Sequence, residues 1–205
     1  TTPTFSGISY DRLDELGSIQ WPCNDQHPTG TPIMHTEEFV RGKGRFMLTA
    51  YMATDEKASN TFPLILTTGR ILSHYNVGAQ TRRTDNMAWH PEDVLEMHPY
   101  DAEIRGLKDD QIVSLTSRAG ATTIRVKISD RMPQGVVYTT FHHPGTGANL
   151  ITTSASDWAT NCPEYKVTAV QVMPSNQPSD WQSEWNIRNV ASKRISTEKK
   201  LEPAE

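Results

Sequence analysis

The chain has 205 residues, a formal net charge of −4 and an apolar content of 36%. A chain of this length can bury roughly 70% of its unfolded surface, so its core needs neither disulfides nor a metal. The acidic balance argues against a general nucleic-acid-binding protein. No apolar run approaches the length of a membrane span, which argues against a membrane partner.

The first 61 residues are expected to form an irregular lead-in with short helices. Ser9 is placed to cap a helix over Tyr10–Leu16, and Gly17 would end that helix. The first residue is Thr1 rather than Met, which suggests a piece cut from a longer chain.

From residue 62 the pattern changes to short apolar runs separated by turn signals, and this pattern predicts a barrel domain over residues 62–174. The predicted strands are residues 64–68, 94–98, 112–117, 122–129, 136–140 and 166–172. Pro99 and Gly106 bracket a short helix. Six short strands with one or two small helices predict a mainly β, closed barrel rather than a parallel α/β sheet.

Residues 175–205 form a polar C-terminal extension. Ser179 and Gln182 have the spacing of a capping box, so a helix should begin there. From about Ser192 onward the sequence is charged and lacks aromatic residues, which predicts disorder.

The stretch FPLILTTGRILSHYNVGAQTRR, residues 62–83, carries the strongest functional signal. A buried strand ends at Gly69, where the backbone is expected to turn, and Arg70, Arg82 and Arg83 follow among many hydrogen-bonding side chains. Arginine offers a flat fork of donors that matches phosphate oxygens. The stretch therefore predicts a site for a phosphate-bearing ligand, with a solvated, charged loop as the alternative.

Other motifs are weak. Residues 42–44 and 145–147 begin like a GxGxxG fingerprint but lack its third glycine and its long helix, and there is no P-loop, HExxH or GxSxG motif. The two cysteines, Cys23 and Cys162, have no metal-like spacing, and a reducing cytoplasm is the expected location. No catalytic residue and no metal ligand are predicted. The weaker alternative is a metal site that uses His74, His98 and His142.

The stretch PLILTTGRILSHYNVGAQTRRT resembles the C-terminal, pterin-dinucleotide-binding region of the molybdopterin oxidoreductases of the DMSO reductase family. The resemblance is greatest to formate dehydrogenase alpha subunits of the soluble, NAD-linked type. It continues through LEMHPYDAEIRGLKDDQIVSLTSRAG, GVVYTTFHHPGTGANLIT and CPEYKVTAVQV. The resemblance implies a six-stranded double-psi β-barrel and a bis-molybdopterin guanine dinucleotide cofactor that carries molybdenum or tungsten.

The resemblance also implies which residues contact the cofactor. Asn149-Leu150 and Tyr165-Lys166 match places where the family contacts it, although a turn-stabilising Asn149 and a core Tyr165 are equally good structural explanations. A strand-end role as a ligand donor is expected for His142 or His143. The expected cofactor-binding residues are Gly69, Arg70, His74, Thr81, Arg82, His142, Asn149, Tyr165 and Lys166.

The family's metal ligand, a Cys or selenocysteine followed by His, lies upstream in the full subunit, as do its iron–sulfur clusters. Cys23 is followed by Asn24 and Cys162 by Pro163, so neither matches. The chain alone is therefore expected to be inactive on formate. The expected partners are the upstream domains and iron–sulfur/flavin subunits that form NADH. The alternatives are the same domain of a nitrate reductase-type enzyme, or a non-catalytic binding or adaptor barrel.

Overall fold

The computed structural model describes residues 2–36, 38–39 and 41–189. The chain divides into two compact units, Thr1–Met52 and Ala53–Glu205. The disorder expected from about Ser192 lies outside the described residues. No helix within the described residues has both the length and the apolar character of a membrane span.

The first unit contains a 3-10 helix, Pro3–Phe5, and helix α1, Tyr10–Leu16. The Ser9 hydroxyl accepts a hydrogen bond from the backbone N–H of Arg12 at 3.3 Å, which satisfies one free donor of the first turn. Gly17 ends α1 with a φ of 73°. The predicted helix and its two boundary residues are confirmed.

The second unit is built around six strands. They are β1 (Leu64–Gly69), β2 (Val94–Met97), β3 (Ile112–Ser117), β4 (Ala121–Ile128), β5 (Val136–Thr140) and β6 (Thr168–Pro174). They close into a barrel in the order β1-β5-β2-β4-β3-β6. The predicted mainly β fold with a six-stranded barrel is confirmed, and no predicted strand boundary is more than two residues from the observed one.

Strand direction decides which loops meet. β1 runs parallel to β5, and Gly69 lies opposite Thr140. β2 and β6 run antiparallel to these strands, so Leu95 lies opposite Thr139 and Thr168 opposite Leu66. The ends of β1 and β5 therefore share one end of the barrel with the starts of β2 and β6. We call it the Gly69 end.

The barrel interior is filled by aliphatic side chains. Alternate residues along a strand point to opposite faces, and β1 follows this rule with a strict alternation of buried and half-buried positions. Burying one such side chain contributes about 1.5–3 kcal/mol. The side chains that are 1% exposed or less include Leu64, Leu66, Leu95, Val113, Leu115, Val126, Val137 and Val170.

Short helices lie between the strands: α2 (Asn86–Trp89), α3 (Pro99–Glu103) and α4 (Ala148–Ile151), with 3-10 helices at Thr81–Arg83 and Pro144–Thr146. Only α3 was predicted. Its predicted boundaries were 99–105, and the His98 ring caps it by accepting from the backbone N–H of Tyr100 at 3.0 Å.

A further helix covers residues 180–189. Gln182 N–H donates to the Ser179 hydroxyl at 3.3 Å, and Ser179 N–H donates to Gln182 Oε1 at 3.2 Å. The predicted capping box is confirmed.

Candidate functional site

The Gly69 end of the barrel brings together residues that are far apart in sequence. The Thr68 hydroxyl donates to the carbonyl of Tyr165 at 2.8 Å. In return, Lys166 Nζ donates to the carbonyl of Thr68 at 3.1 Å. The end of β1 and the segment before β6 are therefore tied side by side.

Gly69 is required by a close approach rather than by a turn. Its φ lies outside the left-handed region, so the prediction that the backbone needs glycine to turn here was wrong. A Cβ at this position would lie 2.7 Å from Tyr138 Oη. That hydroxyl donates to the carbonyl of Arg70 at 3.0 Å, so Tyr138 fixes the backbone where β1 ends.

Arg70 reaches over an aromatic ring. Its guanidinium carbon lies 5.4 Å from the Phe141 ring centroid, and its Nη2 donates to Asn76 Oδ1 at 3.1 Å. Phe141 in turn meets Tyr165 edge to face, with the ring centroids 6.3 Å apart. Phe141 thus connects Arg70 with Tyr165.

Phe141 and Asn149 line a common cavity of about 300 Å³, which we call the Asn149 cavity. Asn149 is exposed, and its side-chain amide has no hydrogen-bond partner among the described residues. An uncommitted amide carries both a donor and an acceptor for a ligand.

His142 is fully buried, and both of its ring nitrogens are used by the protein. Nε2 accepts from the backbone N–H of Ile71 at 3.2 Å, and Nδ1 donates to the carbonyl of Asn76. Burial lowers the pKa of His142, in keeping with a neutral ring that carries its hydrogen on Nδ1. His142 therefore shapes the loop after β1, and its nitrogens are not free for a ligand.

His74 and Thr81 also satisfy each other. Nε2 of the buried His74 donates to the carbonyl of His90 at 2.9 Å, so its Nδ1 is left for the Thr81 hydroxyl, also at 2.9 Å. The same hydroxyl accepts from the backbone N–H of Tyr75 at 3.2 Å. These two predicted site residues lie beside the site but use these polar atoms to fold the loop.

Asp93 lies directly before β2, and the sequence did not indicate a role for it. Its Oδ1 accepts from the Thr140 hydroxyl, the His142 N–H and His143 Nδ1, and its Oδ2 accepts from the His143 N–H. Burial alone would raise the pKa of Asp93, but the hydrogen bonds from His143 and Thr140 outweigh it and lower the pKa. Asp93 is thus a carboxylate that fixes the turn after β5. A lone acid before a strand gives no sequence signal for this role.

A second cavity, of about 500 Å³, is lined by Arg82 and His143, and we call it the Arg82 cavity. Two buried nitrogens, Arg82 Nε and His143 Nε2, have no hydrogen-bond partner in the described part of the chain.

Gln182 attaches the 180–189 helix beside the Arg82 cavity. Its Nε2 donates to the carbonyls of Thr123 at 2.7 Å and Gly145 at 3.1 Å. The sequence predicted the capping role of Gln182 but not this contact. No group of three or more His, Cys, Asp or Glu side chains within the described residues is arranged to hold a metal ion.

Comparison with known proteins gives a family match. The family model described as "Molydopterin dinucleotide binding domain" matches residues 64–169. The chain is 41% identical over 174 residues to the F420-dependent formate dehydrogenase 1 subunit alpha of Methanococcus maripaludis, covering 83% of this chain and 26% of that protein.

Two further relatives come from bacteria. The assimilatory nitrate reductase catalytic subunit of Bacillus subtilis is 35% identical, covering 83% of this chain and 25% of that protein. Formate dehydrogenase H of Escherichia coli is 31% identical, covering 84% of this chain and 25% of that protein. The chain thus spans about a quarter of the length of these relatives.

Proposed function

This chain belongs to the molydopterin dinucleotide binding domain family, and from that premise we propose that it is the cofactor-binding domain of a formate dehydrogenase. The parent enzyme oxidises formate to carbon dioxide on a bis-molybdopterin guanine dinucleotide that carries molybdenum or tungsten. The observation that carries the proposal is the Asn149 cavity, where an uncommitted amide and the Phe141 ring stand beside Arg70.

The residues at the Gly69 end fit this cofactor. Arg70 and Arg82 supply permanently charged donors for phosphate oxygens. The Asn149 amide suits the polar edge of a guanine or pterin ring, and the Phe141 face suits a flat ring. Tyr165 and Lys166 stand next to Phe141 and Thr68. Gly69, His74, Thr81 and His142 act by holding the loops that carry these groups.

The bound cofactor supplies the redox chemistry, while the chain binds and orients it. We infer that these residues divide the two tasks unequally. Arg70, Arg82 and Asn149 are among the groups with hydrogen-bonding capacity left for a ligand, and Asp93 holds the turn after β5 in place. This division agrees with a domain that forms one wall of a pocket completed by the upstream domains.

Formate dehydrogenases and a nitrate reductase are both among the relatives, so the nitrate reductase type is the second candidate. The proposed partners are the upstream domains and the iron–sulfur and flavin subunits of a cytoplasmic complex. Since one relative is named as F420-dependent, the NAD-linked acceptor stays a prediction.

The test is cofactor content. The parent enzyme is purified, denatured and analysed by mass spectrometry for a released pterin guanine dinucleotide. Asn149→Ala should lower the content, while Asn176→Ala, a second exposed asparagine away from the Asn149 cavity, should not. A parent without any pterin dinucleotide would favour the adaptor barrel instead.

A further inference from the structure

The 180–189 helix contributes a wall to each of the two cavities described above. Trp181 lines the Asn149 cavity, and Trp185 lines the Arg82 cavity. The two indole rings stack on each other, with their centroids 5.5 Å apart and their planes 12° apart. The helix therefore meets the barrel with a pair of stacked rings, one at each cavity.

Both rings lie against the loop between β5 and α4, at positions where that loop has no side chain. A Cβ at Gly147 would lie 3.0 Å from Trp181 Cε3, which is closer than most Cβ contacts in proteins. At Gly145 the nearest atom would be Trp185 Nε1, at 3.6 Å. The loop leads into α4, which contains Asn149. The helix thus packs directly on the segment that positions Asn149.

The side-chain amide of Gln182 attaches the helix to an edge of β4. β2 pairs with β4 from Arg125 to Ile128, and Thr123 lies before that pairing begins. Gln182 pairs with Thr123 as a neighbouring strand would: its Nε2 donates to the carbonyl at 2.7 Å, and its Oε1 accepts from the backbone N–H at 3.0 Å. The same Nε2 donates to the carbonyl of Gly145 at 3.1 Å. One side chain thus joins the helix, the barrel and the loop.

This attachment buries little apolar surface. Trp181 and Trp185 are only half-buried. The ion pair of this helix joins Arg188 to Glu184 within it, and none joins the helix to the barrel among the described residues. Segments that bury little apolar surface open locally while the rest of a fold stays intact. The helix is therefore expected to leave the barrel more easily than the strands separate.

We propose that the 180–189 helix is a movable cover of the Asn149 cavity, attached by Gln182 and closed by Trp181. With the helix in place, Ala148 is only 7% exposed although it lines the cavity. When the Gln182 hydrogen bonds break, Trp181 leaves the loop and the cavity opens to solvent. The cover sets how fast a ligand enters and leaves, and it retains a ligand that has entered.

The identity of the retained ligand rests on the proposed function, whereas the movement of the helix does not. In that function the retained group is a flat ring of the dinucleotide, and guanosine diphosphate is the probe for it. The opening of the cavity is therefore measured first without a ligand and then with this probe.

The experiment measures how fast a thiol inside the cavity reacts. Ala148→Cys places a thiol there, in a Cys162→Ser background because Cys162 is exposed and would react as well. The 205-residue chain is mixed with a maleimide, and the modified fraction is followed by mass spectrometry. Cys23 is buried, and peptide mapping separates its modification from that of the new thiol.

Gln182→Ala should speed the labelling of the new thiol about tenfold or more, because several hydrogen bonds of the closed state are lost together. Gln182→Glu keeps the capping box and an acceptor for the Thr123 N–H but loses both donated bonds, so its rate should lie between those of Gln182→Ala and the unmodified helix. The matched control is Asn186→Ala, which removes an exposed amide from the same helix and should stay within about twofold.

Equal labelling rates in Gln182→Ala and Asn186→Ala would overturn the cover. Hydrogen–deuterium exchange of the unmodified chain gives a second measurement. The amides of residues 184–189 should exchange faster than those of β3 and β4. Exchange of this segment together with the strands would show that the helix opens only when the barrel unfolds, and would also overturn the cover.

The guanosine diphosphate arm separates the cover from the proposed function. Slower labelling in its presence supports both. If the nucleotide has no effect at millimolar concentration while Gln182→Ala still speeds labelling, the cover stands and the proposed ligand is wrong. If the nucleotide slows labelling but Gln182→Ala does not speed it, the proposed function stands and the cover is wrong.

Discussion

Asp93 holds His143 at two points: its Oδ2 accepts from the backbone N–H of His143, and its Oδ1 accepts from ring Nδ1, both at 3.0 Å. One carboxylate thus sets both the path of the turn after β5 and the orientation of the imidazole. The relationship spans 50 residues of sequence.

Asp93→Asn is the first prediction. The asparagine side chain can accept hydrogen bonds only at its oxygen. Its NH₂ group would therefore face an N–H or O–H donor whose hydrogen bond the Asp93 carboxylate accepts in the unmodified chain. We expect the free energy of unfolding to fall by about 2–4 kcal/mol, measured by urea denaturation. Asp110→Asn is the control, because its side chain is 68% exposed and asparagine tolerates its φ of 63°. Equal stability of the two variants would contradict the role of Asp93.

The second prediction concerns pH and His142. The folded protein lowers the pKa of His142 below its ordinary value of about 6.5, so the unfolded chain takes up the proton first. The free energy of unfolding should therefore fall as pH drops below about 6.5, by up to 1.4 kcal/mol per pH unit. The lowered pKa of Asp93 affects the free energy of unfolding in a separate pH range, below about pH 4.

The measurement is urea denaturation of the unmodified chain and of His142→Asn between pH 7.5 and 5.5, a range around the ordinary histidine value of about 6.5. The variant should lose the part of the pH slope that His142 contributes. Identical slopes in the unmodified chain and His142→Asn would show that another group titrates.

The third prediction tests the close approach at Gly69. Gly69→Ala would place a methyl group against the Tyr138 hydroxyl and should destabilise the fold by about 1–3 kcal/mol. Tyr138→Phe removes the nearest atom, so the double variant should be less destabilised than the sum of the single variants. Gly106→Ala, where no atom lies within 4 Å, should combine additively with Tyr138→Phe. Additive behaviour at Gly69 would mean that the backbone moves away from the ring.

The fourth prediction compares two cations in the parent enzyme. Arg70→Ala should reduce the cofactor content measured in the purified enzyme more than Lys108→Ala does, because Arg70 lies over Phe141 at the Asn149 cavity. Lys108 is an exposed cation beyond α3. Equal cofactor content in the two variants would argue against a phosphate-binding role for Arg70.

Fifth, the 205-residue chain alone should not oxidise formate, even when mixed with released cofactor. It has no Cys-His metal ligand pair, and its contacts to an ionic ligand would face water, where each charged interaction is weaker. The assay is formate-dependent reduction of a dye. Turnover above the rate with cofactor alone would point to Cys23 or Cys162.

The barrel was predictable because strands of this kind leave a local signature. β3 and β5 begin and end at the residues that alternation and turn residues predicted. Strand order was not predictable from periodicity, since it depends on pairings between distant segments. The family resemblance supplied the strand order, because it implied a double-psi barrel.

The site was only partly predictable for the same reason. Arg70 lies over Phe141, and Phe141 lines the same cavity as Asn149. Arg70 was expected from its place after a strand end, and Asn149 from the family resemblance. The internal roles of His74 and His142 depend on carbonyls of His90 and Asn76, which no sequence pattern marks. A polar residue at a strand end can face a ligand or the backbone, and only its partners decide between the two.

The barrel closes through its last strand, and this has a consequence for synthesis on the ribosome. β6 pairs with both β1 and β3, and the bond from Thr68 to Tyr165 joins residues 97 positions apart. Until β6 has emerged, β1 and β3 are open edges that invite pairing with other chains. A cofactor that needs the closed barrel could load only after β6 has emerged, and a chain that stops before Thr168 would be an aggregation hazard rather than a smaller, working domain.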